Sequence, residues 1–142
     1  MKERTLAIIK PDAIEKRCFG KIIQRILDEG FDILNLKYLQ LTKEQAEAFY
    51  SLHREKPFFE ELIKFMTSSP VIVMAVERED GVAYLRKIMG ATDPKKAKPS
   101  TIRYNFGSDI QKNAIHGSDS CENAEKEIKF FFSEYQMWRN KW

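Results

Sequence analysis

The chain has 142 residues, 24 Lys and Arg against 21 Asp and Glu, and a formal net charge of +3. That size and balance suit one soluble globular domain spanning residues 1–142, large enough to fold without disulfides or a structural metal. The two cysteines, Cys18 and Cys121, are far apart and lie in no CxxC motif, which excludes a disulfide framework or zinc site and fits a reducing, cytoplasmic compartment.

Near the N-terminus, Leu6 to Ile9 is an apolar run closed by Lys10-Pro11, as expected of a buried strand that stops at a proline. The run is too short for a secretory signal. With Asp12 as a possible cap, Ile22, Ile23, Ile26 and Leu27 recur at helical spacing, and Gly30 ends that helix. Phe31 to Leu41 alternates like a strand with one irregularity. Thr42 and Gln45 form a capping box for a helix reaching about Leu52. Past Pro57, Phe59, Leu62, Ile63 and Met66 mark a second helix. Val71 to Val76 is the longest apolar run, a strand length and far below a membrane span.

Gly81 to Met89 reads as a short helix ending at Gly90. From Gly90 to Asp109 little periodicity appears, and a long loop of this kind inside a compact domain is usually functional. Asn113 to His116 suits a last short strand. From Ser120 onward Ala124, Ile128, Phe131 and Phe132 make one helical face, followed by an aromatic, basic tail. Strands and helices alternate, so the chain is α/β or α+β. Periodicity alone leaves the strand directions open.

His116 ends a presumed strand, and Gly117 allows a close backbone approach or an unusual φ. A histidine so placed suits a nucleophile or general base, since neutral imidazole is available near pH 7. The alternative is a partly buried histidine satisfied by a backbone carbonyl. Glu127 flanks the packed face of the last helix and is the candidate orienting partner, with Ser118 to hold its carboxylate. Lys10, Arg86 and Arg103, near Thr92 and Thr101, are the cations that phosphate oxygens require, although each alone is more often a solvated surface charge. Tyr50 and Phe58 either stack a base or pack in the core. His53 is expected to be exposed and inert, and Cys121 a buried, inert thiol. No GxxxxGK[ST] or GxGxxG string occurs, so a phosphate site here uses side chains rather than a glycine cradle.

Five strings, IKPDAI, KPFFEEL, GATDP, KPSTIRYNF and NAIHGSDS, occur in this order, and together the chain from about Arg4 to Phe131 resembles the nucleoside diphosphate kinase family. The resemblance implies transfer of a γ-phosphate from a nucleoside triphosphate such as ATP to a nucleoside diphosphate, in two steps through a phosphohistidine at His116. It implies orientation of that ring by Glu127 and Ser118. Lys10, Tyr50, Arg86, Thr92, Arg103 and Asn113 match the family's phosphate and ribose contacts. Phe58 matches the residue stacked on the base, with Ile110 at its apolar side, and such stacking implies low base specificity. Mg²⁺ would ride on the nucleotide phosphates, with no metal ligands from the protein. The implied fold is ferredoxin-like, an antiparallel sheet in βαββαβ order with helices packed over it, and the implied assembly is a homo-oligomer, tetramer or hexamer. No membrane and no specific nucleic acid are expected as partners. Ser100 stands where the family usually has Gly, and Tyr104-Asn105 replaces small and acidic residues, which puts the loop's geometry in question but no phosphate ligand.

Overall fold

The computed structural model describes residues 1–138, so the last four residues of the aromatic, basic tail lie outside the described residues. Strand β1 (Lys2–Ile9) begins four residues before its apolar run. Its polar start pairs in register with β3 (Val71–Glu79), setting Lys2 opposite Glu79, Glu3 opposite Arg78 and Arg4 opposite Glu77. Opposite charges across a strand pair support each other, so this polar segment is strand without being apolar.

The first predicted helix is two helices, α1 (Pro11–Glu15) and α2 (Phe19–Asp28), broken between them where Arg17 takes φ 60°. Asp12 is not the cap expected of it. Lys10 holds the cap position, Pro11 opens the helix and Asp12 is turned inward. Strand β2 (Asp32–Leu39) carries a bulge between Ile33 and Asn35, the irregularity visible in its alternation.

Helix α3 (Lys43–Phe49) starts at the expected capping box, with Thr42 Oγ1 accepting from Gln45 N–H at 3.0 Å and Gln45 Oε1 from Thr42 N–H at 2.9 Å. It stops earlier than predicted, giving way to a 3₁₀ turn over Ser51–His53 before α4 (Phe59–Met66). After β3 come α5 (Gly81–Met89), α6 (Ile102–Phe106), β4 (Ile115–Gly117) and α7 (Cys121–Phe131).

The sheet order is β2-β3-β1-β4 with every pairing antiparallel, the ferredoxin-like arrangement. β1 and β3 are central and covered on both faces, which is why their apolar runs are continuous. One face sends Leu6, Ile8, Val71, Val73 and Ala75 toward α3, α4 and Ile128 of α7. The other sends Ala7, Ile9, Ile72, Met74 and Val76 toward α2, α5 and Ile102. Successive residues of one strand therefore anchor opposite layers.

The stretch from Gly90 to Asp109 is not structureless. It holds a 3₁₀ turn over Pro94–Lys96 and the helix α6, capped by Thr101 Oγ1 on Tyr104 N–H at 3.3 Å. A five-residue helix is too short to display a period, so only its tertiary contacts reveal it. Ser100 lies at an exposed turn where its carbonyl accepts from Arg25 Nη1 at 2.6 Å, and Asn105 Nδ2 donates to Pro99 and Thr101 carbonyls, so the loop is braced through these positions.

Candidate active site

The last strand is shorter and later than predicted, and His116 is its central residue, paired with Ile8 of β1. Of the two reasons offered for Gly117, close approach is the operative one. A Cβ there would sit 2.5 Å from Met89 Sδ and 3.2 Å from Leu85 Cδ2, against the buried face of α5. Gly117→Ala is therefore expected to lower stability by about 1–3 kcal/mol through overpacking. Urea denaturation measures it, and an unchanged midpoint would mean that Met89 moves aside freely.

Helix α7 starts where Ser120 Oγ accepts from Asn123 N–H at 3.1 Å, and Ala124 and Ile128 turn into the core. That rotation brings Glu127 over the sheet end. His116 Nε2 lies 2.8 Å from Glu127 Oε1, and Ser118 Oγ donates to the same oxygen at 2.7 Å. A carboxylate only accepts, so Nε2 carries the proton and Nδ1 keeps its lone pair. Ser118 is fully buried and its Oγ also accepts from Leu6 N–H at 3.3 Å, which ties the pair to β1. The imidazole is held edge-on to Phe49, with ring centroids 5.6 Å apart, and to Tyr50 at 6.5 Å.

The cations converge on the same strand. Arg86 Nη1 donates to Gly117 O at 3.0 Å, and Arg103 Nη2 donates to Ile115 O at 2.8 Å, so the carbonyls on either side of His116 each hold a guanidinium. Arg103 also reaches Gly90 O at 3.1 Å, while its buried Nε has no hydrogen-bond partner among the described residues. Burial, with Arg86 nearby, pushes the Arg103 guanidinium down to about 10. Lys10 is buried at the end of β1, its Nζ donating to Asn113 Oδ1 at 2.8 Å. Burial first, then the charge of Arg103, pushes this ammonium down to about 8. Positive charge is thus concentrated in a poorly solvated place, a setting that a bound phosphate would relieve.

Asn113 is buried and its Nδ2 donates to the carbonyls of Thr92 and Ile110, both at 2.9 Å. The side chains of Thr92 and Ile110 are exposed, so these two meet the cluster through their backbone. Tyr50 is in the core with its hydroxyl unpartnered among the described residues, and burial raises its pKa. That leaves Phe58, 45% exposed, as the aromatic open to a base.

Two expectations fail: His53 is half-buried between the rings of Tyr50 and Phe58, and Cys121 is exposed rather than buried. Two residues near the site carry no expectation from sequence: Phe49, adjacent to Tyr50 at the end of a helix, and Lys56, whose Nζ lies 5.9 Å from the Phe58 ring centroid. The Lys-Pro-Phe-Phe string is the available signal for Lys56.

The Lys10 shift has two opposite consequences in pH. The folded ammonium titrates near 8 and the unfolded one near 10.5, so the unfolded chain holds the extra proton between those values. Stability therefore rises with pH across that window. A phosphate bound at Lys10 would need the charged form, so kcat/KM for a phosphorylated substrate would fall as pH rises through about 8. A pH profile of kcat/KM tests this, and a flat profile to pH 10 would remove Lys10 from substrate capture.

Three comparisons agree with this geometry. The family model described as nucleoside diphosphate kinase matches residues 3–137. A nucleoside diphosphate kinase of a Nitratiruptor species is 55% identical over 135 residues, covering 95% of this chain and 98% of that protein. The solved nucleoside diphosphate kinase of Aquifex aeolicus superposes with a TM-score of 0.94 at 49% identity, covering 96% of this chain and 99% of that one. A halophilic nucleoside diphosphate kinase from Halobacterium salinarum, solved in complex with CDP, gives 0.95 at 36% identity over 99% of this chain and 94% of that one. An antiparallel sheet of this order, a histidine held by a carboxylate among buried cations, and matches along nearly the whole length lead to one conclusion: the chain belongs to the nucleoside diphosphate kinase family.

Proposed function

We propose that His116 is the phosphoryl carrier of this kinase: Nδ1 attacks the γ-phosphorus of a nucleoside triphosphate, the bond to the bridging oxygen breaks and a nucleoside diphosphate leaves, and the terminal oxygen of a second nucleoside diphosphate then takes the group as the N–P bond breaks. The observation that carries this reading is the 2.8 Å contact of Nε2 with Glu127, which commits the proton to one side of the ring and the lone pair to the other. As the new N–P bond forms, the ring gains positive charge, and the Glu127 carboxylate stabilises it. Arg86, Arg103 and Lys10 would neutralise the equatorial oxygens, where phosphoryl transfer concentrates its charge.

Asn113 would hold the sugar, and Tyr50 and the Thr92–Ile110 segment would line the phosphate path. Phe58, with Ile110 beside it, offers a stacking face and reads no base edges, so purines and pyrimidines are accepted alike. The substrate is the magnesium complex of the nucleotide. The donors around His116 are cationic, which fits phosphates that bring their own metal rather than an ion held by the protein. Magnesium, when bound, neutralises phosphate charge.

The whole chain acts as one catalytic domain in the cytoplasm, where two unpaired thiols persist. It assembles as a tetramer or hexamer. Exposed Leu36 and Tyr38 on the edge strand β2 support self-association, since a partner copy would cover them. The test of the carrier is direct. ATP labelled at the γ-phosphate, with magnesium and no acceptor, should leave acid-labile, alkali-stable label on the protein, and added GDP should remove it as GTP. A folded sample that takes no label would overturn the reading.

A further inference from the structure

Between Asn113 and His116 the backbone makes a turn that an alanine rarely makes. Ala114 has φ 74°, and Ile115 N–H donates to Asn113 O at 2.9 Å across it. A three-residue turn closed by that bond with a positive φ at its centre is the strained form of the γ-turn, unfavourable for any residue with a Cβ. Such a conformation persists only where its surroundings hold it.

Here both backbone groups of Ala114 are held from outside. Its carbonyl accepts from Lys10 N–H at 2.9 Å, and its N–H donates to Asp12 Oδ2 at 3.0 Å. Asp12 is buried, and its other oxygen, Oδ1, has no partner among the described residues. Retaining an incompletely satisfied carboxyl in the interior is unfavourable, and the fold does not need it as a helix cap, since Lys10 has that position. Burial raises the Asp12 pKa, while the Ala114 N–H and the charge of Lys10 oppose that rise.

The turn decides how the two halves of the site meet. On one side of Ala114, Asn113 binds Lys10 Nζ and the carbonyls of Thr92 and Ile110. On the other, Ile115 and His116 enter the sheet beside β1. We infer that Asp12 is a positioning residue: by clamping the N–H of Ala114 it holds the strained Asn113–Ile115 turn, and thereby sets the nucleotide-holding Asn113 and Lys10 against the reactive His116. This inference rests on the assignment of Asn113 to the nucleotide and of His116 to the phosphoryl group. Asp12 touches neither substrate nor the reacting atoms. Its charge also acts on Lys10, so the Asn variant, which keeps the oxygen for the turn and loses the charge, separates the two effects.

The test separates nucleotide positioning from the reactivity of the histidine. Asp12→Ala removes the clamp, and the turn must then be re-formed as nucleotide binds. KM for ATP and GDP should rise about tenfold, the equivalent of one left-handed residue's penalty, while kcat changes less than about threefold. Phosphoramidate, which gives its phosphoryl group to imidazole with loss of ammonia, reports on His116 without any nucleotide. Its rate should stay within about twofold of the parent, because Glu127 and β1 hold the ring independently.

Ala114→Gly in the Asp12→Ala background should restore most of KM, since glycine adopts the turn without the Cβ penalty. Asp12→Asn keeps an oxygen for the Ala114 N–H and should recover KM likewise. Equal losses with phosphoramidate and with nucleotides, or no recovery with glycine at 114, would overturn the inference. If Asp12→Ala does not fold, Asp12→Ala/Ala114→Gly and Asp12→Asn still decide it: a tenfold KM defect in both would also overturn it. Asn113→Ala serves as the control. An unchanged KM there would refute the nucleotide assignment itself, whereas a raised KM there with a normal one in Asp12→Ala would refute only the role of Asp12.

Discussion

His116→Ala should lower phosphoryl transfer between ATP and GDP by at least about 10⁴-fold, because no other group among the described residues is placed to form the covalent intermediate. The side chain is 20% exposed, so its loss opens little buried volume. Glu127 loses one partner but keeps Ser118, which donates to it at 2.7 Å. Stability should accordingly drop by only about 1–2 kcal/mol, and the variant should remain folded and still bind nucleotide. Label transfer from γ-labelled ATP, together with circular dichroism, checks both halves. Residual turnover within tenfold of the parent would mean that phosphate passes directly between nucleotides, and the carrier mechanism would be abandoned.

The second large effect is expected at Glu127. On the proposed mechanism its carboxylate, 2.8 Å from Nε2, keeps the proton there and would meet the positive charge that the ring gains when Nδ1 takes the phosphoryl group. Glu127→Ala removes both contributions, so turnover should fall by about 10²–10³-fold. Glu127→Gln can still accept from Nε2–H through its amide oxygen and so keeps the tautomer, while its charge is gone. A loss of about tenfold is expected there. Rates of single-turnover phosphorylation by ATP give the ranking. Equal losses for Gln and Ala would show that charge alone matters and that ring orientation contributes nothing. Parent-like rates for both would remove Glu127 from the site.

These two experiments test the site from the side of the nucleophile. The pH profile of Lys10 and the turn held by Asp12 test it from the side of the nucleotide. The two sets can fail separately, because Glu127 comes from α7 and Lys10 and Asp12 come from the end of β1 and the start of α1. What joins them is the short path from Asn113 to His116.

Much of this is legible in the order of residues alone. The apolar runs at Leu6–Ile9 and Val71–Val76 mark the two central strands, since burial on both faces leaves no room for polar alternation. The Thr42–Gln45 capping box marks a helix start to the residue, because a cap is local chemistry between neighbours. The string NAIHGSDS points to His116, with Glu127 and Ser118 as its partners, and those three side chains do meet.

Other features depend on contacts between residues far apart in the chain, and these are not legible there. Lys2–Arg4 is strand because it pairs in register with Glu77–Glu79 of β3, more than 70 residues away. Helix α6 is too short to show a period, and it is fixed by Ile102 packing in the core and by Arg103 reaching Gly90 and Ile115. Asp12 reads as a helix cap by its position, yet its oxygen belongs to a backbone group 102 residues away. His53 and Cys121 defy the burial expected of them because accessibility depends on which rings and strands pack alongside, and no local pattern encodes that. Residue types and short-range spacing determined which groups are available for phosphoryl chemistry. Only the antiparallel sheet, which sets the end of β1 beside β4, decided that the lysine and the histidine would lie together, since hydrogen-bonded register joins what sequence separates.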